Sequence, residues 1–219
     1  MVRKSNARSL KASPRSRRRD RQRDAILRAA ARLFRERGFA DTGMRDIAAA
    51  ADLSAANLYH YFDGKNALLY YCQDRALDRM LASVEAARQT TRSASDRLRA
   101  VFMAHLQTLL DEIEGASAHL QIDTLPPAMR VAIVRKRDRY EHALRRIIVE
   151  GIAGGELVDM DPAIAARAML GALNWTVTWF RPEGRDSAAV VGDVISRFLV
   201  RGIAVRTPAT RRALSVVKP

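Results

Sequence analysis

Apolar residues recur every three or four positions along nearly all of residues 20 to 205, and glycine or proline separates successive runs. This is the spacing of one face of an α-helix, and no stretch alternates apolar and polar residues as a half-buried strand would. Alanine, leucine and arginine, which favour helices, dominate the amino-acid composition. We therefore expect an all-α fold.

The nine predicted helices begin near residues 20, 45, 55, 65, 95, 117, 126, 162 and 187. Gly38 should end the first helix, and Ser54 should cap the third, which is expected to span residues 55–62. His105 lies among the apolar residues on one face of the fifth helix. The eighth helix is apolar nearly all round, so we expect it to be buried on several sides.

Charge divides the chain into four predicted parts, and most of the net charge of +14 is carried by its ends. Residues 1–19 form a basic arm that we expect to be disordered, and residues 206–219 form a basic tail. Two domains, 20–65 and 66–205, lie between them and are nearly neutral. A basic arm without acidic residues suits a polyanion, since each neutralised phosphate releases counterions. A solubilising tail is the alternative interpretation.

Several classes of protein are disfavoured by the residues present. Cys72 is the single cysteine, which excludes an internal disulfide and a multi-thiolate metal site. His105, His119 and His142 lack metal-ligand spacing, and no nucleophile elbow or glycine-rich phosphate loop occurs. No signal peptide or apolar run of membrane-spanning length is visible. We expect a cytoplasmic protein that is not an enzyme, with no cofactor, metal or membrane partner.

Two short predicted helices flank a three-residue break at Asp52, Leu53 and Ser54, which is helix-turn-helix spacing. The run GMRDIAAAADLSAANLYHYFDGKNALL resembles the signature of the tetracycline-repressor (TetR) family, and the resemblance covers residues 22 to about 70. It implies a three-helix DNA-binding domain followed by a six-helix domain for ligand binding and dimerisation. The expected function is a ligand-responsive transcriptional regulator, by default a repressor that binds a palindromic operator as a homodimer.

The predicted DNA contacts follow from the helical face left free when Leu58 and Phe62 point inward. The Asn57 carboxamide is suited to hydrogen-bond with adenine, and in the family arrangement the Arg45 guanidinium would hydrogen-bond with guanine. The other side chains and amides would contact phosphate or thymine methyl groups. The full predicted DNA-binding set is Thr42, Gly43, Arg45, Ala55, Asn57, Tyr59, His60, Tyr61 and Lys65.

Two positions depart from the family pattern. Asp52 stands where the family usually has a glycine, in a turn that needs a left-handed backbone. Ala55 and Ala56 replace more polar residues, so few side chains are left to read bases. Recognition should therefore depend on the basic arm as well.

The C-terminal segments RYEHALRRIIVEGIAGGELV and ALGALNWTVTWFRPEG resemble the subgroup that controls fatty-acid, steroid or aromatic-acid breakdown and responds to acyl coenzyme A. A small hydrophobic effector is implied, with Arg181 or Arg137 meeting coenzyme A phosphates. Core or dimer packing is the alternative role for the tryptophans. The predicted ligand residues are Phe102, Leu106, Leu109, Tyr140, Asn174, Trp175, Trp179 and Arg181. The predicted dimer residues, on the last helix, are Val191, Ile195, Phe198 and Leu199.

Two other functions stay open at this point. A helical enzyme or carrier for acyl coenzyme A would explain the apolar C-terminal domain and leave the basic arm incidental. A non-specific basic DNA-binding protein would rely on the arm alone.

Overall fold

The computed structural model describes residues 14–89, 93–110 and 122–205, and these contain eight α-helices and one short 3-10 helix. The α-helices are α1 Pro14–Arg37, α2 Met44–Ala50, α3 Ala55–Tyr59, α4 Lys65–Arg88, α5 Ala94–Leu110, α6 Pro127–Ala153, α7 Pro162–Trp179 and α8 Ala188–Ile203. The 3-10 helix, Ile122–Thr124, precedes α6. The all-α prediction is confirmed. Within the described ranges the nearest approach to a sheet is one isolated bridge between Leu157 and Ala204.

The predicted count of nine helices differs from the eight α-helices seen in the described residues. The predicted short helix at 117–122 lies outside these residues except for Ile122, which begins the 3-10 helix. Residues 1–13 and the tail 206–219 also lie outside them. None of the described helices combines the length and apolarity needed to cross a bilayer.

Helix α1 begins earlier than predicted. It starts at Pro14, so residues 14–19, expected to be disordered, are helical. Proline is well suited to the first turn because its φ is already helical, and arginine has a high helix propensity. The buried residues of α1, from Ile26 onward, anchor the helix. It can therefore extend back through residues 14–19, which have no apolar face. Its other end was predicted correctly, because Gly38 adopts a left-handed φ of 84°.

Side-chain caps set the starts of three helices. Ser54 accepts a hydrogen bond from the Asn57 amide at 3.1 Å, as predicted for α3. Asp161 accepts from the amides of Ala163 and Ile164 at 2.8 and 2.9 Å at the start of α7. Ser187 caps α8. These caps satisfy backbone donors that a helix leaves unpaired at its first turn.

A single cluster of buried side chains runs through the molecule from Ile26 on α1 to Val200 on α8. Helix α5 is central and packs against α4, α6, α7 and α8. Helix α4 extends this core toward α1–α3, where Tyr71 contacts the Phe62 ring edge-on at 5.4 Å between centroids. The domain boundary predicted between residues 65 and 66 therefore falls at the start of α4, a helix that contributes to the core of both predicted domains.

The last two helices are less buried than predicted. Helix α7, expected to be buried on several sides, exposes Ile164, Trp175 and Trp179. On α8 the exposed apolar residues are Val190, Val194 and Phe198. Of the residues predicted to form the dimer, only Phe198 is on this outer face. Val191 is buried, and Ile195 and Leu199 are half-buried against the core, so the predicted register is wrong by one position.

Candidate nucleic-acid interface and sensor core

The helix-turn-helix is built on a small buried core with a left-handed turn. Ile47 on α2 and Leu58 on α3 are buried against α1. Asp52 has a φ of 55° and is the one non-glycine residue with positive φ in the described part of the chain. This confirms the left-handed conformation predicted from the family's glycine. The turn sets the angle between α2 and α3 and leaves α3 on the surface.

Helix α3 presents a polar and aromatic surface. Arg45, Asn57 and His60 are exposed, and Tyr59 is 51% exposed. Tyr61 and Ala55 are half-buried. Helix α3 spans five residues and not the eight predicted, because His60 is its C-cap and Tyr61 lies in the following turn. The aromatic side chains therefore continue the recognition surface past the end of the helix.

Thr42 is not placed as predicted, whereas Gly43 is exposed at the start of α2 as expected. Thr42 is buried, and its hydroxyl donates to the carbonyl oxygens of Gly38 at 2.8 Å and Leu33 at 3.3 Å. The Gly43 amide donates to Asp46 Oδ2 at 2.9 Å. A buried hydroxyl cannot reach a phosphate, so the predicted contact at Thr42 is replaced by a role in fixing the turn between α1 and α2.

Lys65 also turns inward. Its ammonium donates to the carbonyl oxygens of Phe39, Ala40 and Thr42 at 2.5, 3.1 and 2.9 Å, and it lies 4.4 Å from the centre of the Phe39 ring. An ammonium group has three hydrogens, so these bonds use all of its donors. The predicted phosphate contact is thus replaced by a link between the start of α4 and the turn that precedes α2.

The C-terminal domain contains a buried polar chain across three helices. His105 on α5 contacts the Tyr140 hydroxyl through Nδ1 and Asn174 Oδ1 through Nε2, each at 3.1 Å. The rings of His105 and Tyr140 stack with centroids 5.6 Å apart. The predicted ligand residues Phe102, Leu106 and Leu109 are buried on the same face of α5. The apolar pattern of α5 predicts His105 on this face but does not reveal its partners, because Tyr140 and Asn174 are 35 and 69 residues away.

Burial sets the charge state of this chain. Desolvation lowers the pKa of His105 to about 4, against a smaller opposing effect of the Asn174 hydrogen bond. Desolvation also raises the pKa of the Tyr140 hydroxyl. At neutral pH the imidazole is therefore uncharged. It donates from Nε2 to Asn174 Oδ1 and accepts at Nδ1 from the Tyr140 hydroxyl.

The remaining predicted ligand residues lie elsewhere. Trp175 and Trp179 are 67% and 49% exposed on the outer face of α7, so they do not line the interior of a single subunit. Arg181 is exposed and donates to the carbonyl of Phe180 at 3.1 Å. Arg137 is held by Gln73 Oε1 at 3.3 Å, with its pKa lowered by burial. A ligand would meet Trp175, Trp179 and Arg181 only at the surface.

Among the described residues, no cluster of three or more His, Cys, Asp or Glu side chains is arranged to hold a metal ion.

Comparison with known proteins agrees with both halves of this architecture. Residues 26–72 match the model of bacterial regulatory proteins of the tetR family, and residues 91–203 match a tetracyclin repressor-like C-terminal domain. The HTH-type transcriptional repressor KstR2 of Mycolicibacterium smegmatis is 28% identical over 191 residues, which cover 83% of this chain and 90% of the repressor.

Two solved regulators share the fold. The TetR family regulator PfmR from Thermus thermophilus is 36% identical, with a TM-score of 0.73 over 80% of this chain and 97% of PfmR. AibR, solved in complex with isovaleryl coenzyme A and operator DNA, is 28% identical, with a TM-score of 0.66 over 82% of this chain and 96% of AibR. A family of DNA-binding regulators excludes the enzyme interpretation left open above. The chain belongs to the TetR family of bacterial transcriptional regulators.

Proposed function

We propose that the protein is a homodimeric repressor that binds a palindromic operator and releases it when an acyl coenzyme A thioester binds its C-terminal domain. The observation that carries this proposal is the likeness, over 82% of the chain, to a regulator solved with isovaleryl coenzyme A and operator DNA. A relative named as a repressor favours repression over activation.

Base reading is assigned to Arg45 and Asn57, which are exposed on α2 and α3. A guanidinium pairs with guanine and a carboxamide with adenine in the major groove. Tyr59, His60 and Tyr61 would contact the backbone beside them. Thr42 and Lys65 act behind this surface, because their hydrogen bonds hold the turn that positions α2. The exposed Gly43 amide is held by Asp46 at the start of that helix.

The sensor is assigned to the polar chain of His105 and its partners. Asn174 turns Oδ1 toward His105, so its amide nitrogen is directed away from the imidazole. A carboxamide held in this orientation can donate to the carbonyl of a thioester, with the apolar face of α5 taking the acyl group. Trp175, Trp179 and Arg181 follow Asn174 along α7 and at its end, where an exposed guanidinium suits the coenzyme A phosphates.

Pairing of two subunits is assigned to the outer faces of α7 and α8. Ile164, Trp175 and Trp179 lie on one side of α7, and Val190, Val194 and Phe198 form a stripe at i, i+4 and i+8 on α8. Rows of exposed apolar side chains of this kind mark an interaction surface. Two copies that pair through this surface about a two-fold axis would bury it in both subunits. A two-fold axis is also the symmetry of a palindromic operator.

Helix α4 is the element that connects the two halves. Arg75 pairs with Asp24 on α1, and Lys136 on α6 pairs with Asp78 at 2.7 Å. A shift of α6 on ligand binding would therefore move α4 and, through Lys65, the turn before α2. Two operator-binding domains displaced in this way would no longer fit half-sites at their original spacing.

The test measures operator affinity with and without candidate effectors. The operator is first selected from a pool of random duplexes, and binding is then followed by fluorescence anisotropy. Isovaleryl coenzyme A and longer acyl thioesters should weaken binding, whereas free coenzyme A serves as the control. Unchanged affinity across the panel would remove the acyl coenzyme A sensor and leave DNA binding intact.

A second measurement separates operator reading from non-specific binding. Asn57→Ala should cost about 1–3 kcal/mol on the selected duplex and reduce preference over unrelated duplexes. A wild-type protein that binds every duplex equally would instead identify a non-specific basic DNA-binding protein.

A further inference from the structure

The extended N-terminal end of α1 lies beside the recognition helix. Because α1 begins at Pro14, Arg18 and Arg19 are held on a helix and not on a loose arm. Both are exposed, and with Gln22 they line a surface groove whose other wall is Leu53, Asn57, His60 and Tyr61. The groove is open and has a volume of about 530 Å³.

The charges around this groove favour an anion. Among the described residues that line it are two guanidinium groups and no carboxylate. A second groove, on another side of α1, has Arg28 and Arg32 but also the three carboxylates of Glu36, Asp52 and Glu183. The two grooves share a helix and a pair of arginines and differ in their acidic residues. Only the first has an uncompensated positive charge.

We propose that Arg18 and Arg19 form a phosphate clamp with α3, in which the groove takes the backbone of the DNA strand next to the bases read by Asn57. Guanidinium groups bind phosphate oxygens through paired hydrogen bonds. Because Asn57 and His60 share the groove with the arginines, a duplex docked on α3 places its sugar-phosphate backbone within their reach.

This inference rests on the proposed DNA binding and narrows the contribution expected of the basic arm to two arginines on α1 that face the recognition helix. It also explains how a recognition helix with alanine at positions 55 and 56 can bind a duplex firmly. The few base contacts are supplemented by phosphate contacts that come from a different helix, and such contacts raise affinity without carrying sequence information.

The experiment compares two double variants of the full-length chain, R18A/R19A and R28A/R32A, on the selected operator duplex. Alanine keeps the helix propensity of α1, and circular dichroism checks that both variants stay helical. Affinity is measured between 50 and 200 mM salt. Each phosphate contact contributes about 0.9 to the slope of log affinity against log salt, so a dimer that loses four contacts loses up to about 3.6. The fold-loss of affinity between 50 and 200 mM salt should therefore be about 100 times smaller for R18A/R19A than for the wild type. For R28A/R32A it should be nearly the same as for the wild type.

Two results would overturn the clamp: an R18A/R19A slope equal to that of the wild type, or equal reductions in both double variants. Sequence preference is measured in parallel and should be retained in R18A/R19A, while Asn57→Ala loses it. If Asn57→Ala weakens operator binding and R18A/R19A does not, the clamp alone is wrong. If the wild type shows no sequence preference, the proposed repressor function fails, and the slope comparison still decides the clamp.

Discussion

At the scale of single residues, His105 shows how a side chain in an apolar core acquires a fixed charge state. Both of its ring nitrogens are hydrogen-bonded to neutral partners, and no carboxylate is among them. A protonated imidazole would lose the hydrogen bond that it accepts at Nδ1 and would be a buried charge. The folded protein therefore keeps His105 neutral well below neutral pH.

We predict that this histidine makes folding sensitive to mild acid. Its pKa is about 4 when folded and 6.5 in the unfolded chain, so the unfolded state binds the extra proton between these values. The stabilisation is present above pH 6.5 and is lost as the pH falls toward 4. Between pH 7 and pH 5 the His105 contribution to the free energy of unfolding should fall by about 2 kcal/mol. Urea unfolding at both pH values measures it.

Two variants isolate that contribution. His105→Gln should lack this part of the pH dependence, whereas His142→Gln, at an exposed histidine on α6, should retain it. Equal pH dependence in the wild type and in His105→Gln would show that burial does not control this histidine.

Some single-residue features could be predicted from the sequence and others could not. The resemblance to the family correctly indicated the left-handed Asp52, because a glycine in the family pattern marks a backbone requirement. It did not indicate that Lys65 bonds to three carbonyl oxygens, because those acceptors lie 23 to 26 residues away and belong to the backbone. Backbone acceptors leave no signal in residue type.

At the scale of helices, the outer stripe of α8 is the part of the proposed dimer interface that a single substitution can test. We predict that Val194→Arg converts the protein to monomers, because it puts a charge at the centre of the exposed apolar stripe of Val190, Val194 and Phe198. The control is Val149→Arg on α6. Val194 and Val149 are 53% and 47% exposed, so the two substitutions have similar effects on a single subunit. Light scattering coupled to gel filtration measures the mass of each, and monomers in both variants or in neither would contradict this interface.

The same helix explains why its register was predicted wrongly. Val190, Val191, Val194 and Ile195 form adjacent apolar pairs, so the sequence is compatible with either of two neighbouring faces. The choice is made by α5, against which α8 packs in the fold. Helix starts were more predictable, because Ser54 and Asp161 are local signals that need no distant partner.

At the scale of the whole molecule, the continuous core makes the two predicted domains depend on each other. Buried side chains from α1 to α8 form one cluster, and α4 packs against both halves. We predict a single unfolding transition in calorimetry at fixed protein concentration, with equal calorimetric and van't Hoff enthalpies per cooperative unit. Two transitions separated by 10 °C or more, on the order of a 2 kcal/mol difference in stability, would show that the domains unfold independently.

The positions of the two tryptophans give the molecule a built-in optical reporter. Trp175 and Trp179 are the only tryptophans in the sequence, and both lie on the outer face of α7. Indole emission shifts to shorter wavelength when the ring leaves water, and no other residue in this chain emits in that band. Emission of the native protein in the indole band therefore comes from one face of one helix. The assembly and effector binding proposed for that face can be followed without a dye, while events at the DNA-binding surface leave the emission wavelength unchanged unless they are transmitted to α7.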